Sequence, residues 1–268
     1  MKFRVLVAVP LAWALVFIVA DLLLQGTGGY RVFLRAEIEL VKGLALIGCL
    51  AAAFSFHPGE YLRRAWLFMG GCMLFLLLRD LTMLPAIEAS TAHIDLIQGI
   101  LVVLANISVI IGIFMLAQAW RVAGLELPGT KGQRWSGVVI ALLLAAALGG
   151  PGLVNNFVEL VSGDASALTG VAMALGDMIS LILIAPVLFT ALALRGGLFG
   201  WPWWLLTASL VSWLLYDGVL EIGPYLGAGE QTVKSVSEMF RALACMFEFS
   251  AGLAQFYIVR RTKEDTQA

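Results

Sequence analysis

Eight long apolar segments follow one another along the chain, separated by short stretches rich in charged residues, Gly or Pro. They cover residues 5–24, 36–56, 65–84, 96–120, 136–158, 169–194, 203–222 and 233–258. A helix of about 20 apolar residues crosses the hydrocarbon core of a bilayer, which is about 30 Å thick. Strands of a membrane barrel are shorter and alternate apolar with polar positions. The pattern therefore predicts an all-α, polytopic membrane bundle of about eight transmembrane helices.

Composition supports a chain whose solvent is lipid. Of the 268 residues, 61% are hydrophobic and 13% are charged, and the mean hydropathy is +0.94. An ordinary soluble domain is about half apolar and about a quarter charged. These values exclude a disordered chain and a soluble enzyme. The lipid bilayer is thus the first expected partner, and no nucleic acid is expected.

The charged residues also predict an orientation. With the N-terminus in the cytoplasm, an even number of spans returns the C-terminus to the same side, and 11 of the 17 basic residues lie there. Because Lys and Arg prefer cytoplasmic loops, we expect both termini to be cytoplasmic, in a membrane of the bacterial inner (cytoplasmic) type. By contrast, 14 of the 18 acidic residues fall on the outer side or in the outer membrane half, which needs another cause.

An internal repeat is predicted from a shift of 137 residues. The matched pairs are Trp66 with Trp203, Leu77-Leu78 with Leu214-Leu215, Asp80 with Asp217, and Leu116-Ala117-Gln118 with Leu253-Ala254-Gln255. Because each half contains four spans, residues 1–125 and 126–268 would form parallel four-helix repeats, which often place a site at their interface. Coincidence among apolar residues is the alternative.

Charged side chains inside the spans are the main candidates for a functional site, because a charge at membrane depth costs several kcal/mol unless it is paired or hydrated. We predict a water-accessible, net acidic cavity that opens to the outer side and binds a small polar or cationic ligand. Eight residues are expected to line it: Arg79, Asp80, Asp177, Asp217, Glu221, Glu238, Arg241 and Glu248. Helical spacing puts Asp217 with Glu221 on one face, and Glu238, Arg241 and Glu248 along another.

The alternative is a set of buried ion pairs that fix the packing of the helices without any activity. The candidate pairs are Glu39 with Lys42, Asp80 with Arg79 or Arg241, and Glu238 with Arg241. Three basic residues could neutralise at most three of the acids, so this alternative leaves several carboxylates unexplained.

The fifth segment contains a second unusual feature. Residues 149–152 read Gly-Gly-Pro-Gly after only about thirteen helical residues. Pro in a helix interior removes a hydrogen bond and clashes with the preceding turn, so we expect the helix to break here. Alternatively, the span ends at this point and a short interfacial segment follows.

Several chemistries lack their residues. The two histidines, His57 and His93, belong near opposite membrane faces and are too far apart to share a metal or a haem. The three cysteines lie in three different spans with no Cys-x-x-Cys motif. No catalytic residue, cofactor or metal site is therefore predicted, and an enzyme is the less favoured class.

Two adjacent segments resemble a known kind of membrane region. Residues 174–197 (ALGDMISLILIAPVLFTALALRGG) and 201–219 (WPWWLLTASLVSWLLYDGV) resemble the multi-helix membrane sensory regions of some bacterial diguanylate cyclases and histidine kinases. The likeness depends on Gly176-Asp177 and Tyr216-Asp217 and covers about 45 of the 268 residues. It implies a ligand- or membrane-sensing module. Since no kinase or GGDEF output domain is present, the signal would pass to a separate signalling protein or through a homo-oligomer.

The sequence thus leaves three functions open. In the first, a sensor or receptor-like module binds a ligand in the outer cavity. In the second, a transporter couples the movement of a small molecule to protons or cations through Asp177, Asp217 and Glu248. The third is an intramembrane lipid hydrolase of the lysoplasmalogenase type. Below Glu248 the last span has only Ser250 and Gln255 as polar residues, which favours binding over transport.

Overall fold

Helices make up all the regular structure in the residues that the computed structural model describes, which are 3–84, 94–164, 167–195 and 197–267. The eight long helices, α1–α8, are Phe3–Leu24, Tyr30–Ser55, Tyr61–Thr82, Ile94–Ala117, Lys131–Val161, Ala167–Ala193, Trp201–Ile222 and Glu230–Gln267. One helical turn, Ala119–Val122, follows α4, and a 3₁₀ turn, Leu198–Gly200, precedes α7. Each long helix is long and apolar enough to cross a membrane, which confirms the predicted eight-span, all-α architecture.

Six of the helices form a closed ring. Its order is α2, α3, α4, α6, α7, α8 and back to α2, with α1 packed outside on α8 and α5 outside on α6. We call the end of the bundle where α1 begins the inner end and the opposite end the outer end. In the predicted orientation the inner end faces the cytoplasm.

The neighbour order in this ring bears on the predicted repeat. Advancing every ring helix by four spans converts α2, α3 and α4 into α6, α7 and α8, and the neighbours remain the same. The two outside helices depart from this pattern, because α1 packs on the last helix of the other half whereas α5 packs on its own successor α6. The parallel repeat itself stays a prediction.

The expected break in the fifth segment is wrong. Helix α5 runs without interruption from Lys131 to Val161 with Pro151 inside it. Membrane helices tolerate Pro because neighbouring groups can satisfy the backbone that it frees. The carbonyl that loses its helical donor to Pro151 is that of Ala147, four residues before it, and one residue beyond the proline the Asn156 side chain donates to the Gly152 carbonyl at 2.7 Å. At its inner end, α5 is fixed by a capping box, in which Thr130 and Gln133 each accept a backbone N–H of the other.

The inner half of the ring is closed by a cluster of fully buried apolar side chains from all six ring helices. Its largest members include Trp66, Met69, Ile113, Leu116 and Leu206. Close helix contacts support this half of the bundle. A Cβ atom on Gly48 of α2 would lie 2.7 Å from the Phe249 carbonyl oxygen, and one on Gly252 of α8 would lie 2.2 Å from the Gly48 oxygen. Glycine at both positions therefore lets α2 and α8 approach each other.

The inner end of α4 is held by side chains from two other ring helices. The Trp203 indole donates to the Leu116 carbonyl at 3.2 Å, and the Thr190 hydroxyl donates to the Ala117 carbonyl at 2.9 Å. These donors satisfy carbonyls that have no partner once a helix ends. Above this closed inner half, the ring leaves open space in its outer half.

Candidate functional site

An internal cavity of about 180 Å³ lies within the outer part of the ring. All six ring helices contribute to its lining, and 12 of the 22 lining residues are apolar. The polar lining residues are Lys42, Arg79, Asn106, Asp177, Ser180, Ser209, Tyr216, Asp217, Arg241 and Glu248. We call this space the inner cavity, to distinguish it from a second cavity that lies still closer to the outer end of the bundle.

Five of the eight predicted site residues line the inner cavity: Arg79, Asp177, Asp217, Arg241 and Glu248. They come from α3, α6, α7 and α8, so the structure brings together side chains that are far apart in the sequence. Asp80 and Glu238 line a different cavity, and Glu221 lines neither of the two described here.

Carboxylates form one side of the inner cavity. Asp177 and Asp217 lie on the neighbouring helices α6 and α7. We call these two residues the acidic wall. Within the described part of the chain, neither carboxylate has a hydrogen bond or an ion pair with another residue. Asp177 is exposed and Asp217 is half-buried. The cavity therefore reaches the surface of the bundle at α6.

Glu248 lies deeper, on α8. Its side chain is 1% exposed, and the Cys49 thiol on α2 donates to its Oε1 at 3.3 Å. No Lys or Arg within the described residues pairs with it. The exposure of the side chain thus falls from Asp177 through Asp217 to Glu248.

Basic side chains form the opposite side of the inner cavity. Lys42, Arg79 and Arg241 come from α2, α3 and α8, which are neighbours in the ring. We call these three residues the basic wall. Asp80 is shared, because both Lys42 and Arg79 pair with it, and the Arg79 Nη2 lies 2.6 Å from its Oδ1. Glu238 pairs with Arg241.

The ion-pair alternative is therefore correct for part of the set. Asp80 and Glu238 pair with basic residues, as that alternative expects, and they do not face the inner cavity. The expected pair of Glu39 with Lys42 is wrong, because Lys42 reaches Asp80 on the next helix instead. Asp177, Asp217 and Glu248 stay outside every described ion pair.

A wider outer cavity of about 820 Å³ lies above the inner one. Lys42, Arg79 and Arg241 line both spaces and so form the layer between them. Ten charged residues line the outer cavity: the cationic Arg31, Arg35, Lys42, Arg79, Lys234 and Arg241, and the anionic Glu39, Asp80, Glu230 and Glu238. The inner cavity has three residues of each sign. The lining residues of neither cavity therefore carry the predicted net negative charge.

Glu221 was expected beside Asp217 but faces another way. Its Oε1 lies 3.5 Å from the position that a Cβ atom on Gly152 of α5 would occupy. Because α5 packs outside the ring, Glu221 points towards the periphery and not into the inner cavity. The two residues are four apart on α7, and that part of the helix surface borders both the inner cavity, at Asp217, and α5, at Glu221.

Sequence reasoning missed five polar lining residues, which are Lys42, Asn106, Ser180, Ser209 and Tyr216. Lys42 was considered only as a partner for Glu39, although a Lys in the middle of a span is itself a signal of a site. Asn106 and Tyr216 also line the cavity. Tyr216 lies beneath the guanidinium of Arg241, with the ring centre 5.7 Å from Cζ. This contact holds the guanidinium at the edge of the cavity.

Metal chemistry finds no support in the described part of the chain, where no group of three His, Cys, Asp or Glu side chains could hold an ion. His93 lies outside the described residues, and His57 is exposed near the inner end. No family model, curated protein or solved structure matches this chain.

Proposed function

We propose that this multi-pass membrane protein is a receptor-like module that binds a small polar or cationic ligand in the inner cavity. The observation that carries the proposal is the unpaired acidic wall, Asp177 and Asp217, beside a cavity in the ring. Intramembrane carboxylates without a countercharge are costly. A bound cation offsets that cost only when it is present, which makes the pair responsive to a ligand.

The size and lining of the cavity indicate the kind of ligand. A cavity of about 150 Å³ holds one benzene-sized molecule, so 180 Å³ suits a ligand of similar size. Trp213 lines the cavity with several Met, Leu and Val side chains. An organic ammonium ion with a short apolar part would use both the carboxylates and the aromatic ring.

Helix α8 offers a route by which binding could be signalled. It has 38 residues, about 57 Å at 1.5 Å per residue, and includes Arg241 and Glu248 of the cavity. Its inner end is tied to α2, because the Lys263 ammonium donates to the Ser55 carbonyl at 2.8 Å. A shift of α8 in the cavity would move its inner end, where a signalling partner or a second copy could respond. The resemblance of residues 174–197 and 201–219 to sensory membrane regions supports the same role.

The test is ligand-dependent stabilisation of the purified protein in detergent, with methylammonium and propylammonium chloride as probes against sodium chloride at equal ionic strength. The wild type should be stabilised by the amines, and Asp217→Asn should lose that stabilisation. The control is Glu221→Gln, which removes a carboxyl charge one turn away on the same helix but outside the cavity. Equal stabilisation of Asp217→Asn and the wild type would remove the acidic wall from the proposal.

Transport is the second candidate, and one observation favours it. Three buried polar atoms in the closed inner half lack hydrogen-bond partners among the described residues: the Trp66 Nε1, the Ser250 Oγ and the Gln255 Oε1. Unpaired buried polar groups are costly, and an inward-open conformation would hydrate them. Uptake of radiolabelled methylammonium by proteoliposomes separates the two candidates. A receptor should give no more uptake than protein-free liposomes, whereas a transporter should give uptake that Glu248→Gln abolishes.

A further inference from the structure

Two walls of opposite charge face each other across the inner cavity. In the ring order, α6 lies opposite α2 and α7 lies opposite α3. The acidic wall on α6 and α7 is therefore set against basic residues on α2 and α3, with Arg241 on α8 completing the basic side. Helix α4, between α3 and α6, contributes the neutral Asn106. This separation of acidic from basic residues results from the order of the helices in the ring and not from the sequence of any one helix.

The basic wall has an unused hydrogen-bond donor. Lys42 and Arg79 share Asp80 while Arg241 pairs with Glu238, and Glu37 and Glu39 also interact electrostatically with these cations. The Arg241 Nε is buried and has no hydrogen-bond partner among the described residues. The wall therefore presents three cationic side chains and an unused donor to the cavity.

The same change of sign occurs along α8. Arg241 and Glu248 are seven residues, or about 10.5 Å, apart on one face of the helix, and both line the cavity. A ligand in this space thus meets a cation on one side and a carboxylate on the other, whether it lies across the ring or along it. A simple cation would use only the carboxylates and would leave the unpaired Arg241 Nε without a partner.

We propose that the ligand of the inner cavity is a small zwitterion, with its ammonium group against Asp177 and Asp217 and its anionic group against Arg79 and Arg241. This inference rests on the proposed ligand-binding function and specifies its chemistry. The zwitterion can be a free amino-acid-like molecule or the headgroup of a zwitterionic lipid. A headgroup could enter at α6, where the exposed Asp177 and Met173 border the cavity.

The experiment compares each zwitterion with its two halves by calorimetric binding to the purified full-length protein. The zwitterions are glycine, 3-aminopropanoate, 4-aminobutyrate and O-phosphoethanolamine. The cationic halves are methylamine, ethylamine and propylamine, and the anionic halves are acetate, propanoate, butyrate and inorganic phosphate. At least one zwitterion should bind about tenfold or more tightly than either of its halves, because a hydrogen bond to a charged group changes affinity by that order. Binding of O-phosphoethanolamine without binding of the three amino acids would show that the site prefers an ammonium joined to a phosphate, the chemistry of a lipid headgroup.

Two variants assign the two ends of the ligand. Arg79→Gln removes one of the two proposed partners of the anionic group while Lys42 keeps its pair with Asp80, so the affinity for the zwitterion should fall towards that for its amine half. Asp217→Asn should weaken the zwitterion and the amine together. The matched controls, Arg35→Gln in the outer cavity and Glu221→Gln facing α5, should bind as the wild type does. Unfolding temperatures without ligand show whether each variant is folded.

The outcomes separate this inference from the proposed function. If amines bind as tightly as zwitterions and Arg79→Gln has no effect, the zwitterion is wrong while the cation-binding function stands. If no compound of the panel binds to the wild type, both are wrong.

Discussion

Cys49 and Glu248 meet across the contact between α2 and α8, where the thiol of one donates to the carboxylate of the other at 3.3 Å. The contact exists because Gly48, next to Cys49, lets the backbones of the two helices approach. Packing of the inner half and placement of the deepest carboxylate therefore depend on the same interface.

Substitution of Gly48 by Ala should destabilise the protein by about 1–3 kcal/mol or more, the usual range for overpacking. The added Cβ would lie 2.7 Å from the Phe249 oxygen, and backbone there cannot move without shifting α8. Gly43→Ala is the matched control on the same helix, since nothing lies within 4 Å of its Cβ position. Thermal unfolding in detergent measures both. If Gly48→Ala is as stable as Gly43→Ala, the close approach of α2 and α8 is wrong.

Asp80→Asn should lower stability by about 3–5 kcal/mol, because it leaves the charge of Lys42 buried without its partner. Lys42 is only 2% exposed. Removing both charges in Lys42→Met/Asp80→Asn should restore much of the loss, since an apolar replacement of a buried pair is often neutral. A double variant that is less stable than Asp80→Asn would contradict this pairing. The measurement is the unfolding free energy of the wild type, of Asp80→Asn and of the double variant.

Glu248→Gln should have the opposite effect on stability. Glu248 is buried with no described cationic partner, so neutralising it removes the cost of a buried carboxylate and keeps the side-chain volume. We expect an unfolding free energy equal to or above that of the wild type, to within about 1 kcal/mol. The variant should insert normally and lose ligand response or transport. Unaltered activity would exclude Glu248 from the site.

The predicted orientation can be checked with cysteines placed in exposed loops. Ala228→Cys lies between α7 and α8 at the outer end, and Glu126→Cys lies between α4 and α5 at the inner end. A membrane-impermeant maleimide should label Ala228→Cys in intact cells and Glu126→Cys only after permeabilisation. The reverse result would place both termini outside and the cavities on the cytoplasmic side.

Hydropathy was sufficient to predict the eight spans, because each needs only length and apolar composition. It could not predict which way a side chain faces, since most positions of these helices are apolar and the neighbours decide. Asp80 and Asp217 show this most clearly. They occupy matching places in the predicted repeat, yet Asp80 forms an ion pair with Lys42, whereas Asp217 lines the inner cavity without an ion pair. Glu221 faces α5 because tertiary packing places α5 next to α7. The continuity of α5 through Pro151 likewise does not follow from the local sequence alone.

The central claim is that Asp217 faces a water-accessible space inside the ring. It is tested most directly by cysteine reactivity in purified protein, in which Cys72 of the cavity lining is replaced by Ala. The cationic reagent 2-aminoethyl methanethiosulfonate reacts with thiolates, which need water to form. Asp217→Cys should be modified rapidly, whereas Leu215→Cys, at nearly the same depth but 43% exposed on the apolar surface, should be protected by detergent. Modification of Leu215→Cys at an equal or higher rate than Asp217→Cys would contradict the account.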